Sequence, residues 1–177
     1  YIPTDGGLLG DDIMTCAGEP VPLNPDGDEN LVYDWTPNEG LDDPTAANPI
    51  ATVFENTTYI VTIGDASGVC EVTDTIQVIV YPPINLETSG DTTICVASDL
   101  TLTASTDVAA DIVWYEQGDS IASGSPIIYT PGEGTTELLV VATDTNGCTD
   151  SSTVVIIYVP TDIGSSLDSI ILVCADT

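Results

Sequence analysis

Asp12-Ile13-Met14-Thr15-Cys16-Ala17-Gly18-Glu19-Pro20-Val21 decides the reading of this chain, because versions of it return around Cys95 (residues 92–100) and around Cys174 (residues 169–176). Both intervals are 79 residues. Trp35 and Trp114 each stand 19 residues after their cysteine, and the turn aspartates Asp65 and Asp144 keep the same period. Self-similarity at a fixed period means one structural unit built repeatedly. The period divides the chain into a repeat over 10–82 and a second over 83–160. Residues 1–9 then read as the tail of a preceding repeat and a linker, since Tyr1-Ile2-Pro3-Thr4-Asp5 matches Tyr158-Val159-Pro160-Thr161-Asp162. Residues 161–177 read as a linker and the start of a third repeat.

Within each repeat the apolar residues alternate with period two, the spacing of half-buried strands. Leu31-Val32-Tyr33-Asp34-Trp35 puts Leu31, Tyr33 and Trp35 on one face of a central strand, with Trp35 as core anchor and Trp114 as its counterpart. Pro20 and Pro22 confine Val21 to an edge strand, where a missing donor is tolerated. Thr36 to Pro49 contains Pro37, Pro44 and Pro49 and is too broken for a helix. Ile50 to Phe54 and Tyr59 to Ile63 are short strands, and Val72 to Val80 is a longer one entered through a turn at Asp65 to Gly68. In the second repeat, strands are expected around Leu100 and Leu102 and over 112–115, 127–129, 138–142 and 154–159. Many short strands, a tryptophan per repeat and no amphipathic helical pattern indicate an all-β fold of tandem β-sandwich repeats.

There are 29 acidic residues and no Lys, Arg or His, a formal charge of −29. No side-chain salt bridge can form within the chain. Such an excess is either a solvated, soluble surface or a source of self-repulsion that salt or divalent cations must relieve. Nucleic acid is excluded as a partner, since phosphate binding depends on Lys and Arg. Lysine-dependent isopeptide crosslinks and tryptic sites are absent for the same reason. The longest apolar runs are too short to span a bilayer as helices.

The period accounts for an odd number of cysteines. Cys16 with Cys70, and Cys95 with Cys148, enclose spans of 54 and 53 residues, which fits a disulfide inside each repeat and leaves Cys174 unpaired within this segment. Free buried thiols are the other reading, because connectivity does not follow from sequence alone. Disulfides imply an oxidising, extracellular setting. Pulled from its ends, a stalk crosslinked in this way would shield most of each repeat from unravelling.

The series Cys-Ala-Gly-Glu-Pro-Val (16–21), Tyr-Asp-Trp-Thr-Pro (33–37), Ala-Asn-Pro (47–49), Thr-Thr-Tyr-Ile-Val-Thr (57–62), Gly-Asp-Ala-Ser-Gly-Val-Cys (64–70) and Thr-Asp-Thr-Ile (73–76) resembles the Ig-like and PKD-like repeats of very large secreted surface proteins of the Bacteroidota. These include gliding-motility adhesins exported by the type IX route. The second repeat keeps Cys95, Trp114 and Thr-Asp-Thr-Asn-Gly-Cys (143–148), but has Leu138 where Tyr59 stands and lacks the Ala-Asn-Pro segment. The resemblance implies a stalk or adhesin repeat with no active site. Its partners would be neighbouring repeats of the same chain, or identical chains in a filament or bundle.

A few residues point to other chemistry. Asp26, Asp28 and Asn30 open like an oxygen-ligand calcium loop, yet Leu31 and Pro37 occupy the places of its glycine and its bidentate glutamate, so a solvated turn is the competing reading. Asp11, Asp12 or Asp91 are candidate calcium ligands at the repeat junctions. No other cofactor is implied. Thr75, Thr92, Ser120 and Ser169 follow the Asp-Ser/Thr pattern similar to the O-glycosylation signal of the same bacteria, and Asn56-Thr57-Thr58 is a formal N-glycosylation sequon. Without His or Lys, an enzyme would need a carboxylate pair of the glycosidase kind. A carbohydrate-binding module is the alternative to a stalk, with Tyr33, Tyr115 and Tyr129 as candidate stacking rings.

Overall fold

The computed structural model describes residues 9–66 and 71–160 of the chain. The chain divides into two compact units between Pro83 and Ile84. Every regular element among the described residues is a strand.

Unit 1 contains β1 (Ile13–Cys16), β2 (Pro20–Pro22), β3 (Val32–Thr36), β4 (Ile50–Thr52), β5 (Thr57–Gly64) and β6 (Glu71–Tyr81). Its main sheet has the order β1-β6-β5-β3, and β2 pairs with β4 in a second, smaller sheet. Alternation places Tyr33 and Trp35 of β3, Tyr59, Val61 and Ile63 of β5, and Ile76 and Val78 of β6 on the inner face. Leu23, Ala51 and Val53 close the core on the side of the smaller sheet. Trp35 is fully buried, and its indole N–H donates to the Ala46 carbonyl at 3.1 Å. That bond ties the long polar crossing to the core. Pro20 and Pro22 lie on a strand paired on one side only, where their missing donors cost nothing. Leu9 belongs to this core, so the expected linker over 1–9 is too long: unit 1 has begun by Leu9.

Unit 2 contains β7 (Leu86–Thr88), β8 (Thr92–Ile94), β9 (Leu100–Leu102), β10 (Ala104–Thr106), β11 (Ala110–Glu116), β12 (Asp119–Ser123), β13 (Ile127–Tyr129), β14 (Gly134–Asp144) and β15 (Thr149–Tyr158). Its main sheet runs β12-β11-β14-β15-β8, with smaller pairings β10-β7 and β13-β9. Trp114 repeats the role of Trp35, fully buried and donating to the Gly124 carbonyl at 3.0 Å. Around it pack Leu102, Ile127, Leu138, Val140, Val154 and Ile156. β12 does not match any expected strand. Gln117-Gly118 makes a tight turn with positive φ at both residues (52° and 94°), and the chain folds back on β11 with a register shift between Trp114 and Tyr115.

One pairing determines where the cysteines stand. In both units the first strand of the main sheet lies parallel to the last: β1 on β6, with Cys16 opposite Tyr81, and β8 on β15, with Ile94 opposite Tyr158. All other neighbours in the two main sheets are antiparallel.

Candidate functional sites: strand-end cysteines and docking aspartates

Cys16, Cys95 and Cys148 are each disulfide-bonded. The parallel register fixes their positions. Cys95 directly follows Ile94, whose carbonyl accepts from Val159 N–H at 2.9 Å, so it lies at the exit end of β15. Cys148 directly precedes Thr149, where β15 begins. The length of β15, about 30 Å at the usual strand rise, separates two residues whose Cα atoms would have to come within about 7 Å to be bridged. The expected Cys95–Cys148 bond is therefore incorrect. Cys16 likewise sits at the Tyr81 end of β6, about 33 Å of strand from Glu71, which opposes the expected Cys16–Cys70 bond. Cys70 and Cys174 themselves lie outside the described residues.

The turn before Cys148 is tightly specified. Asp144 N–H donates to the Cys148 carbonyl, and the Asp144 carboxylate accepts from Cys148 N–H, Asn146 N–H and Asn146 Nδ2. Gly147 takes φ of 87°, a value that glycine adopts without strain. Desolvation pushes the Asp144 carboxyl up, and the hydrogen bonds from Asn146, Cys148 and Gly147 outweigh it, leaving the pKa below its ordinary value.

Four aspartates do a job that sequence reading missed. Asp12 accepts from Gln77 N–H (3.0 Å), and Asp91 from Val155 N–H (2.8 Å). Each extends the parallel ladder by one bond at the start of β1 or β8. Asp74 accepts from Leu9 N–H (3.0 Å), and Asp150 from Leu86 N–H (2.9 Å), securing the segment that enters each unit. The signal was the repeat itself, since both pairs recur near the period. Asp12 and Asp91, expected as junction calcium ligands, are thus engaged with backbone donors.

Asp26, Asp28 and Asn30 are all exposed around the turn before β3. Asp28 Oδ1 accepts from Asn30 N–H (2.9 Å) and Asn30 Nδ2 (2.7 Å), which hold its pKa below the ordinary value. This is an Asx turn, and the Asn30 amide nitrogen faces the carboxylate. Among the described residues no three His, Cys, Asp or Glu gather closely enough to hold a metal ion.

Of the candidate glycosylation positions, Thr75 on β6 and Ser120 on β12 are exposed and Thr92 on β8 is half-buried. Ser169 lies outside the described residues. Asn56 accepts from Val80 N–H through Oδ1.

The candidate stacking rings are occupied in the fold. Tyr33 is buried with its hydroxyl on the Asp28 carbonyl, and burial raises its pKa. Tyr129 is half-buried and donates to Glu116 Oε1 at 3.0 Å; burial, and then the Glu116 bond, raise its pKa. Tyr115 is half-buried in β11. A shallow depression of about 490 Å³ lies on unit 2 beside Glu116, Glu137, Leu139 and Thr153, and no aromatic ring lines it.

No family model matches the chain, and no curated protein matches it either. Solved structures do. The fibronectin(III)-like modules of Clostridium thermocellum CbhA are 14% identical, covering 93% of this chain and 97% of theirs, with a TM-score of 0.42. The first two Ig domains of DIP-gamma are 13% identical over 86% of this chain and 95% of that one, with a TM-score of 0.36. The amphioxus IgVJ-C2 molecule is 14% identical over 82% and 99%, also at 0.36. In both units a buried tryptophan stands on the strand beside the final hairpin of the main sheet, as in immunoglobulin domains. Among the described residues the chain is an all-β tandem of two sandwich-like units.

Proposed function

We propose that the chain is a structural repeat segment, the stalk or filament body of a large extracellular adhesin of the kind its first repeat resembles. The observation that carries this reading is the duplication of a closed design. Each unit repeats the tryptophan anchor, the parallel first strand and the docking aspartates. Repetition of one structural unit is what a spacer requires. In this reading the chain is not an enzyme and binds neither nucleic acid nor a membrane interior. Its partners are neighbouring repeats, and cations of the medium, calcium among them, balance the 29 acids. Disulfide-bonded cysteines support an extracellular setting in this reading, and no helix among the described residues is long and apolar enough to cross a membrane.

Immunogold labelling of intact cells with antibody raised against the chain tests this. Label on fibres away from the envelope is expected; label confined to the cytoplasm would overturn it. A glycan array separates the stalk from a carbohydrate-binding module: the stalk predicts silence, and saturable binding to one glycan class would favour the module.

A further inference from the structure

We propose that Asn146-Gly147 in unit 2 is a covalent modification site, a pair primed to cyclise to a succinimide and hydrolyse, and that Asp144 holds it closed while the hairpin is folded. The two residues set the chemistry. The backbone nitrogen of Gly147 attacks Asn146 Cγ, so that an N–Cγ bond forms, the Gly147 amide proton is lost, and Nδ2 departs as ammonia. Water then opens the five-membered ring at either carbonyl, giving aspartate or isoaspartate. Nothing is oxidised or reduced, and one water is consumed for each ammonia released. Among the asparagines of the chain, Asn146 is the one followed by glycine, and glycine has no Cβ to hinder attack by its own nitrogen.

Both residues are exposed in the turn between β14 and β15, and a Cβ at Gly147 would meet nothing within 4 Å. Packing offers no protection there. Hydrogen bonding does, and all of it leads to one residue. Gly147 N–H donates to the Asp144 carbonyl at 3.2 Å, Asn146 Nδ2 to Asp144 Oδ2 at 3.1 Å, and Asn146 N–H to Asp144 Oδ1 at 2.8 Å. The attacking nitrogen must give up the first bond and its proton beside a carboxylate, whose negative charge opposes a second anion at that point. The departing amide must give up a charge-assisted bond. Asp144 is itself fixed, since its N–H donates to the Cys148 carbonyl and its carboxylate accepts from Cys148 N–H, both at 2.9 Å. Pairing of Thr143 with Thr149 closes the hairpin at its base. Cyclisation therefore waits on local opening of the turn.

Either product undoes this arrangement. Aspartate places a second carboxylate against Asp144 where the Nδ2 donor stood, and isoaspartate adds a carbon to the main chain of the turn. The hairpin end beside Cys148 is loosened and does not recover. The corresponding turn of unit 1 reads Asp65-Ala66-Ser67-Gly68 and has no asparagine, so this ageing belongs to unit 2. It depends on the hairpin alone and is independent of the stalk reading.

Incubating the whole chain at mildly alkaline pH, either folded or in denaturant with reductant, tests the proposal, with conversion read by mass mapping of reduced peptic peptides and by enzymatic methylation of isoaspartate. In denaturant, Asn146 should convert ahead of the other asparagines, and Gly147→Ala should slow it several-fold. The folded wild type should keep the amide, while folded Asp144→Ala converts several-fold faster and Asp144→Asn, which retains an acceptor without the charge, falls between them. Hydrogen exchange on the same samples separates a local guard from general unfolding: the Val140 and Val154 amides should stay protected in both variants. If Asp144→Ala does not fold, Asp144→Asn and the comparison of folded with denatured wild type decide. Equal conversion in the folded wild type and the variants, equal conversion in folded and denatured wild type, no effect of Gly147→Ala in denaturant, or acceleration that tracks loss of protection throughout unit 2 would each overturn the proposal. None of these outcomes bears on the labelling experiment, so the two proposals fall separately.

Discussion

Trp114 shows how one side chain carries a unit. It is fully buried with its indole N–H satisfied by Gly124, so Trp114→Ala removes a large packed volume and a bonded donor together. Truncations of this kind cost about 3–5 kcal/mol. Unit 2 should unfold at markedly lower denaturant in tryptophan-independent circular dichroism, while the unit 1 amides keep their hydrogen-exchange protection. Gly40 is a second sensitive position for a different reason. Its φ is 80°, and a Cβ there would stand 2.8 Å from the Thr52 carbonyl oxygen and 3.0 Å from Tyr59 Oη. The left-handed backbone alone costs a non-glycine residue about 1–2 kcal/mol, so Gly40→Ala should lower the melting temperature of unit 1 measurably. Asp144 gives a pH signature. Its folded pKa lies below the ordinary value, so its stabilisation is fully present above the unfolded carboxylate range and is lost as pH falls through the depressed folded value. The stability gap between the wild type and Asp144→Ala should be constant from pH 7 to 5 and shrink below the ordinary carboxylate pKa. A gap that does not change with acid would contradict this role.

At the level of strands, the alternating runs were legible because burial on one face imposes period two. The positions of β3, β5, β6, β11, β14 and β15 follow from residues such as Tyr33, Trp35, Ile76 and Val154. What could not be read was the direction in which strands pair. β1 carries the same residues whether it lies parallel or antiparallel to β6, yet the choice moves Cys16 from one end of β6 to the other. Antiparallel pairing would have brought the two cysteines of a unit close together; parallel pairing separates them by the strand's length. The error in disulfide assignment is therefore an error about β1 and β8, not about cysteine chemistry. β12 was missed because its register shift and the positive φ at Gln117 break the alternation that would have marked it. The docking aspartates were hidden among the other acids until the backbone showed their partners. Asp91→Ala should speed hydrogen exchange at the Val155 amide, which loses its acceptor, and leave the amides of β11 protected.

For the whole molecule, the governing quantity is charge. With 29 acids and no basic side chain, the compact state carries self-repulsion that is screened over about 10 Å at 0.1 M salt. Raising sodium chloride from about 10 to 500 mM, against that screening length, should raise the melting temperature of both units; no change would mean the acids are too widely spaced to matter. Load is the other whole-molecule property. Stretching single chains held at their two ends, with and without reductant, tests most directly whether the units are spared from tension. With the disulfides at Cys16, Cys95 and Cys148 intact, the residues that the bonds bracket stay out of the loaded path, and reduction should release further extension. The same contour gain in oxidised and reduced chains would contradict the account.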